Sequence, residues 1–229
     1  MNQAGTGAES PRSGSQLVPW ELAVRAIQER DERAWDEIYT RLWPPLLRRA
    51  TLFLGNVESA KDAVHEALAR SLPRRRKGDD PGAPLRGGWD PSGAACFSTW
   101  VFQVLRNYCI DELRKRHPAF EPVDDDTHGP IVVDFGADID ERELVRCAIL
   151  RLPERIRVPL VLQVYDDLSI DDIAKQLNRP PGTVKSQVSE AKKRLIQLLQ
   201  RPPEVTREAP RLRQIASNIM NKEDTDSVG

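Results

Sequence analysis

Apolar and polar residues recur along most of this chain with the spacing of α-helices. Residues 168–199 contain two such stripes in succession, separated by a short break. The first helix is predicted to begin after Ser169, which is a good N-cap. Its apolar positions are Ile170, Ile173, Ala174 and Leu177. Asn178 can close that helix in the left-handed conformation, and Pro180-Pro181 prevents its continuation. The pattern therefore predicts a short helix followed by a tight turn.

The second helix of this pair is predicted to begin near Gly182-Thr183. Its apolar stripe consists of Val184, Val188, Ala191, Leu195 and Leu198 or Leu199, whereas Lys185, Lys192, Lys193 and Arg194 lie off the stripe. Two helices joined in this way form a helix-turn-helix, whose second helix enters the DNA major groove. Similar pairs also occur in all-α domains that do not bind DNA, so the pattern alone leaves both interpretations open.

Helical periodicity also covers most of the chain before residue 117. Pro19 can open a first helix, and Asp31 can cap a longer second helix. Pro44-Pro45 is expected to kink or break that second helix. A third, narrow stripe of small residues consists of Ala60, Ala63, Val64, Ala67 and Leu68. The clearest helix runs from Phe97 to about Arg116, with a broad apolar stripe that faces a core.

These elements predict an all-α protein with two helical domains joined by an acidic flexible linker. The boundaries fall where the composition changes, because segments poor in apolar residues cannot form a core. The predicted segments are a disordered N-terminus (1–16), a first helical domain (17–116), a linker (117–141), a second helical domain (142–201) and a C-terminal tail (202–229). Within the first domain, residues 74–95 are predicted to form a long loop, and loops of that length are often functional.

Composition and charge narrow the classes of function. The chain has 229 residues, of which 39% are hydrophobic, so it can form packed cores. Its net charge is −1, so any binding to nucleic acid must come from separate basic patches. Residues 117–143 contain nine acidic residues and one basic residue, whereas residues 183–201 contain five basic residues and one acidic residue. The predicted second helix of the helix-turn-helix is therefore a basic segment of the chain.

Catalysis, cofactors and membrane insertion are not indicated by the sequence. The three cysteines are odd in number and far apart, which favours a reducing compartment over a disulfide framework or a zinc site. No stretch reads as a signal peptide or a membrane span, so we expect a cytoplasmic protein. Asp124-Asp-Asp126 could bind Mg²⁺, but such runs on loops are more often solvated. We therefore expect no catalytic residue, no metal and no cofactor.

Several short motifs resemble the sigma-70 family of bacterial transcription initiation factors. Region 4 of that family is matched by Leu152-Pro-Glu-Arg, Leu168-Ser169 and Gly182-Thr-Val-Lys-Ser186. Region 2 is matched by Ala34-Trp-Asp-Glu-Ile-Tyr, Asp62-Ala-Val-His-Glu66, Phe97-Ser-Thr-Trp-Val, Arg106-Asn107 and Asp111-Glu-Leu-Arg-Lys-Arg116. The order of regions 2 and 4, with no domain between them, is similar to the extracytoplasmic-function (ECF) group.

The resemblance implies a sigma factor, which binds core RNA polymerase and directs it to promoter −10 and −35 elements. An anti-sigma factor is a further candidate partner, and insertion into a membrane is not expected. The implied polymerase-binding residues are Asp62, His65 and Glu66. The implied −10 residues are Trp100, Gln103, Arg106, Asn107, Arg114 and Lys115. The implied −35 residues are Thr183, Lys185, Ser186, Gln187, Ser189, Glu190 and Lys193. An aromatic ring, amide groups and basic side chains on one helix suit the binding of an unstacked nucleobase and the phosphates beside it.

Two positions depart from the family pattern, since Gln187 and Glu190 stand where it usually has Arg. At about 100° per residue, Glu190 is expected to lie opposite the apolar stripe and to face the groove. A carboxylate there could accept a hydrogen bond from a cytosine amino group. Alternatively, Glu190 forms an i,i+4 pair with Arg194. Two other functions stay open: a conventional helix-turn-helix repressor or activator, and a protein-interaction adaptor derived from a sigma factor.

Overall fold

The computed structural model describes residues 17–73, 87–93, 95–116 and 141–200. All regular structure in these ranges is helical, which confirms the all-α prediction for them. The helices are α1 (Trp20–Gln28), α2 (Glu32–Leu54), α3 (Val57–Ser71), α4 (Phe97–Arg116), α5 (Glu141–Leu150), α6 (Glu154–Asp166), α7 (Ile170–Leu177) and α8 (Pro181–Gln200). The predicted disordered N-terminus, the C-terminal tail, almost all of the linker and most of the 74–95 loop lie outside the described residues.

Helix α2 is long and continuous. Asp31 caps its start, where Oδ1 accepts hydrogen bonds from the backbone amides of Arg33 (3.0 Å) and Ala34 (3.3 Å). The helix continues through Pro44-Pro45, so the predicted break is wrong. Buried residues before and after the prolines are Ile38, Leu42, Leu46 and Ala50. Because the fixed φ of proline is close to the helical value, this continuous buried row can hold the helix together despite two lost backbone hydrogen bonds.

The chain forms two compact units, each of which has its own packing. Of the described residues, the first unit contains those between Met1 and Leu46 and between Glu66 and Val104, and the second contains those between Leu47 and His65 and between Leu105 and Gly229. The ends of α2 and α4 and the start of α3 therefore belong to the same unit as α5 to α8. The domain limits predicted at residues 116 and 142 do not coincide with these units, and they stay a prediction.

Aromatic residues pack together in the first unit. The ring of Phe97 makes edge-to-face contacts with Trp35 (centroids 6.2 Å apart) and with Trp89 (5.4 Å). Trp89 is buried, and its indole Nε1 donates a hydrogen bond to the carbonyl of Ala95 (2.9 Å). Its backbone amide donates to the carbonyl of Ser71 (3.1 Å). The segment that leads into α4 is thus tied to the last residue of α3.

Gly88 permits the close approach of backbone at this point. Its φ of +78° lies in the left-handed region that favours glycine. A Cβ atom at this position would lie 2.6 Å from the backbone nitrogen of Pro73. Any larger residue would therefore push apart the described residues on either side of the 74–86 segment.

In the second unit a largely buried ion pair joins α2 to α6. Arg49 Nη1 lies 3.0 Å from Asp166 Oδ1, and the two side chains are 15% and 10% exposed. The Arg49 guanidinium also donates to the carbonyl of Tyr165 (3.2 Å) and lies 4.6 Å from the centroid of its ring. Burial lowers the pKa of Arg49 and raises the pKa of Asp166, although the opposite charge of each partner acts against these shifts. Desolvation of the two charges therefore outweighs their mutual attraction.

A second buried arginine, near the start of α6, bonds to the end of α5 and packs against Gly55, which follows α2. Arg157 is 3% exposed, and its Nη1 donates to the carbonyls of Leu152 (3.0 Å) and Leu150 (3.4 Å). Burial also lowers the pKa of Arg157. The guanidinium lies against Gly55, where a Cβ atom would be 2.8 Å from Nη2. Because Gly55 also has a φ of +67°, both the backbone and the packing favour glycine there.

The described residues offer no sign of membrane, metal or disulfide chemistry. No helix among them has both the length and the apolar character needed to cross a membrane. They bring together no group of three or more potential metal-binding side chains, and Asp124–Asp126 lie outside them. The three cysteines are free thiols, and burial raises the pKa of Cys147 to about 11. That thiol is therefore protonated and unreactive at neutral pH.

Replacing Arg49 with Met should destabilise the protein by about 3 kcal/mol, because Asp166 is left buried without its partner. The double variant Arg49→Met/Asp166→Leu should recover most of this loss, since neither charge then has to leave water. Urea unfolding followed by circular dichroism measures both free energies.

The control for this prediction is Lys61→Met, which removes the exposed Lys61–Glu58 pair (2.8 Å). It should change the free energy of unfolding by less than about 0.5 kcal/mol. If Arg49→Met is no more destabilising than this control, the buried pair does not hold α2 to α6.

Candidate nucleic-acid interface

Helices α7 and α8 form the predicted helix-turn-helix. Ser169 caps α7, and its Oγ accepts a hydrogen bond from the backbone amide of Asp172 (3.1 Å). Asn178 ends α7 with a φ of 52°, in the left-handed region. α8 begins at Pro181, where the missing N–H of proline costs no helical hydrogen bond. These observations confirm the predicted cap, turn and second helix, and α8 begins only slightly earlier than predicted.

Helix α8 buries one side and exposes the other. The buried apolar residues are Val184, Val188, Ala191, Leu195 and Leu199, as predicted. Ser186 and Lys193 are exposed and Ser189 is partly exposed, and we call these three residues the exposed stripe of α8. Thr183 and Lys185 are also exposed. With the partly exposed Glu190, six of the seven residues predicted to contact the −35 element are thus at least partly accessible.

Gln187 lies on the buried side, which corrects its predicted role. It is 9% exposed, and its Oε1 accepts a hydrogen bond from Arg179 Nη1 (2.7 Å). Arg179 lies in the turn and also donates to the carbonyl of Arg155 in α6 (3.2 Å). Burial lowers the pKa of Arg179 to about 10. The side chain of Gln187 is therefore used inside the domain, where it helps Arg179 to join α6, the turn and α8.

Glu190 lies at the edge of the exposed side and holds two arginines. Its Oε1 is 2.9 Å from Arg155 Nη2 and 2.8 Å from Arg194 Nη2. The pair with Arg194 is the i,i+4 alternative predicted from the sequence. The pair with Arg155 reaches α6 and was not predicted. Its carboxylate is shared by two guanidinium groups and the side chain remains 33% exposed, so a role of Glu190 in reading a base stays a prediction.

The six predicted −10 residues lie along α4. Gln103, Asn107, Arg114 and Lys115 are exposed, and Trp100 and Arg106 are partly exposed. Arg114 pairs with Asp111 (3.4 Å) and donates to the backbone carbonyl of Gln176. Lys115 pairs with Glu112 (2.6 Å). The basic residues at the end of α4 therefore already have partners within the chain. The side chains of Gln103 and Asn107 are exposed, and Asn107 Oδ1 accepts a long hydrogen bond from Arg106 Nε (3.5 Å).

The three predicted polymerase-binding residues lie on α3. Asp62 and His65 are exposed, and Glu66 is partly exposed and pairs with Arg70 (2.7 Å). The buried residues of the same helix are Ala60, Ala63, Val64, Ala67 and Leu68, as predicted from their spacing. The polar face of α3 is thus available to a partner.

The matches to known proteins agree with this geometry. Residues 142–195 match the family model for Sigma-70, region 4, which spans α5 to α7 and most of α8. The chain is also 30% identical over 197 residues to the ECF RNA polymerase sigma factor SigM of Mycobacterium tuberculosis. That alignment covers 85% of this chain and 89% of SigM. This chain belongs to the ECF sigma factors.

Two other ECF sigma factors show the same extent of similarity. RpoE of Cereibacter sphaeroides is 31% identical over 190 residues, which cover 80% of this chain and 96% of that protein. SigW of Bacillus subtilis is 24% identical over 192 residues, which cover 75% and 92%. Because these alignments are much longer than region 4, the family likeness includes the helices that precede it.

The roles of three residues that support the candidate sites of this ECF sigma factor were not predicted from the sequence. Trp89 is the one aromatic residue between 74 and 96, a sign that it has a packing role. Arg179 directly follows the left-handed Asn178, so it had to lie beside the start of α8. Arg155 gave no such signal, because its partner Glu190 is 35 residues away in the sequence.

Gln187→Ala should destabilise this ECF sigma factor by about 2 kcal/mol, because Arg179 loses a charged hydrogen bond in a partly buried turn. Urea unfolding measures the loss. The exposed neighbour Ser186 provides the control, and Ser186→Ala should change stability by no more than about 0.5 kcal/mol. Equal stability of the two variants would mean that Gln187 does not anchor the turn.

Proposed function

We propose that this protein is a transcription initiation factor that binds core RNA polymerase and directs it to promoter −10 and −35 elements. The observation that carries the proposal is the exposed side of α8, opposite a continuous buried stripe. It lies in a helix-turn-helix within the segment that matches Sigma-70, region 4. A helix with this arrangement can lie in a major groove with its polar side toward the bases.

For the −35 element, the side chains of α8 suit two kinds of contact. Lys185 and Lys193 can neutralise phosphates, which supplies affinity without sequence preference. Ser186 and Ser189 can donate to or accept from base edges, which supplies specificity. Thr183, in the first turn of α8, is exposed and can contact the DNA backbone. Gln187 is left out of this set because it is buried.

For the −10 element, α4 offers an exposed flank with amide side chains. Gln103 and Asn107 can hydrogen-bond to the edge of an unstacked base, and the partly exposed Trp100 can stack on it. Arg114 and Lys115 would have to exchange their present partners for phosphates. This flank is therefore a proposed site of single-strand capture.

Neither alternative function is favoured by a feature of the structure. The adaptor interpretation relied on the departures at Gln187 and Glu190, and both residues have arginine partners inside the protein. The conventional repressor or activator interpretation does not account for similarity that extends across most of several ECF sigma factors. An anti-sigma factor stays a candidate partner.

Transcription in a purified system tests the proposal. The protein is mixed with core RNA polymerase and a library of promoter fragments from the source genome, and the transcripts are sequenced. We expect discrete start sites that depend on both proteins. Start sites that also appear with core enzyme alone, or no transcripts at all while the protein binds duplex DNA by itself, would favour a conventional regulator.

Binding to the polymerase should depend on the acidic face of α3. The double variant Asp62→Arg/Glu66→Arg should bind core enzyme about tenfold more weakly, because it reverses charge at the proposed interface. Fluorescence anisotropy of the labelled protein measures the affinity. Glu58→Arg is the matched control, since Glu58 lies on the same helix and is 79% exposed. An equal effect of the control and the double variant would remove α3 from the interface.

Capture of the −10 strand should depend on Asn107. Asn107→Ala should weaken open-complex formation by about 1–3 kcal/mol, because a base contact is lost. Core binding should not change. Permanganate footprinting measures the opened region on duplex and on pre-melted templates, and both should be affected equally. A loss confined to the duplex would instead assign Asn107 to melting, and Thr40→Ala, at an exposed position of α2, should have no effect.

A further inference from the structure

Two arginines and one glutamate form a cluster at the edge of α8. Arg155 comes from the first turn of α6, and Glu190 and Arg194 are one turn apart on α8. Both guanidinium groups lie within 3 Å of the same carboxylate oxygen, at 2.9 Å and 2.8 Å. All three side chains remain partly exposed, at 33% for Arg155, 33% for Glu190 and 44% for Arg194. The cluster therefore presents a net charge of +1 to solvent.

The cluster lies on one flank of the exposed stripe of α8. At about 100° per residue, Glu190 and Arg194 fall on one side of that stripe and Lys185 falls on the other. A helix is about 10–12 Å across and the major groove is about 12 Å wide. A helix that lies in the groove therefore has a phosphate backbone along each flank. Each flank needs positive charge, and an unpaired carboxylate on either would repel the DNA.

We infer that Arg155 and Arg194 bind DNA phosphate on this flank and that Glu190 positions them for it. The inference rests on the proposed function, since the phosphates are those of the −35 duplex. A guanidinium has five N–H donors, so each arginine can keep its bond to Glu190 and still donate to a phosphate. Lysine, with its compact ammonium group, is less suited to bridging two acceptors in this way.

The position of Arg155 is defined at two points. Its side chain is held by Glu190, and its backbone carbonyl accepts a hydrogen bond from Arg179 in the turn (3.2 Å). Arg179 is in turn bonded to Gln187 of α8 (2.7 Å). An arginine of α6 is thus held beside α8 before any DNA is bound, which reduces the entropy lost on binding. This role accounts for the carboxylate of Glu190 on a flank of α8 where basic residues would otherwise be favoured.

Phosphate contacts do not depend on sequence, so a duplex of random sequence is a sufficient probe. The affinity of the full-length protein for this duplex is measured by fluorescence anisotropy between about 50 and 200 mM KCl. Arg155→Ala and Arg194→Ala should each weaken binding several-fold and reduce the slope of log K against log salt by about 0.9, the value for one phosphate. Arg155→Lys should keep the wild-type slope. Thermal unfolding confirms that each variant is folded, and the exposed Arg194 gives a variant with little risk to the fold.

Two substitutions of Glu190 separate its charge from its hydrogen-bonding role. Glu190→Gln and Glu190→Ala both remove the negative charge, but only Gln keeps an acceptor for the two arginines. We expect the Gln variant to bind the duplex several-fold more tightly than the Ala variant. The difference should vanish in the background Arg155→Ala/Arg194→Ala. Equal affinities of the two variants in the wild-type background would overturn the positioning role.

Lys193→Ala distinguishes failure of this inference from failure of the proposed function. If Lys193→Ala weakens binding while Arg155→Ala and Arg194→Ala bind as the wild type does, DNA uses the exposed stripe but not the cluster, and the inference is wrong. If none of the three variants changes affinity, α8 does not bind the duplex, and the proposed −35 role fails with it.

Discussion

The rotation of α8 about its own axis decides which residues of this protein can meet DNA. Five apolar side chains of α8 are buried on one side, and burial of each valine or leucine among them contributes about 1.5–3 kcal/mol. A rotation by one residue, about 100°, would expose several of them and bury charged groups in their place. Polar contacts at the surface are too weak to balance such a loss. The apolar residues of α8, which never touch DNA, therefore select the residues that can.

This dependence explains which features could be predicted from the sequence. Helix ends follow local rules, and Ser169, Asn178 and Asp31 act as the caps that their residue types favour. The middle of an exposed face also follows from periodicity, since it lies opposite the buried stripe. Pro44-Pro45 shows the limit of local rules, because the predicted break is overridden by a buried row that continues on both sides. Where local helix preference and burial conflict, tertiary packing determines the structure.

The edges of a helical face could not be predicted in the same way. Gln187 and Glu190 lie where α8 meets the turn and α6, and periodicity along α8 does not say how closely those elements approach. Their partners Arg179 and Arg155 are on other elements. The Arg49–Asp166 pair is a stronger example, since its members lie on helices far apart in the chain and nothing local links them. Long polar side chains choose partners through the tertiary fold, which only the structure supplies.

Several arginines of this protein hold helices together, and this bears on its electrostatics. Arg49, Arg157 and Arg179 are all largely removed from water and bond to backbone carbonyls of other segments, a use that suits a planar group with several donors. The exposed side of α8 carries Lys185 and Lys193 instead. A count of basic residues therefore overstates the charge available to DNA, because several arginines are committed to holding helices together.

Polar contacts between different helices also limit how far DNA contacts can be inferred from one sigma factor to another. Where the family resemblance leads one to expect Arg at 187 and 190, this chain has two acceptors, and each accepts from an arginine of the turn or of α6. The arginines beside positions 187 and 190 therefore come from the turn and from α6. Residues 155 and 190 therefore form a unit, since Arg at 190 would remove the anchor of Arg155 and place two like charges side by side. For the exposed stripe, the buried side of α8 sets the direction of each side chain, so each residue can be considered by itself. At the edges of the stripe, a residue and its partner on another element have to be compared together.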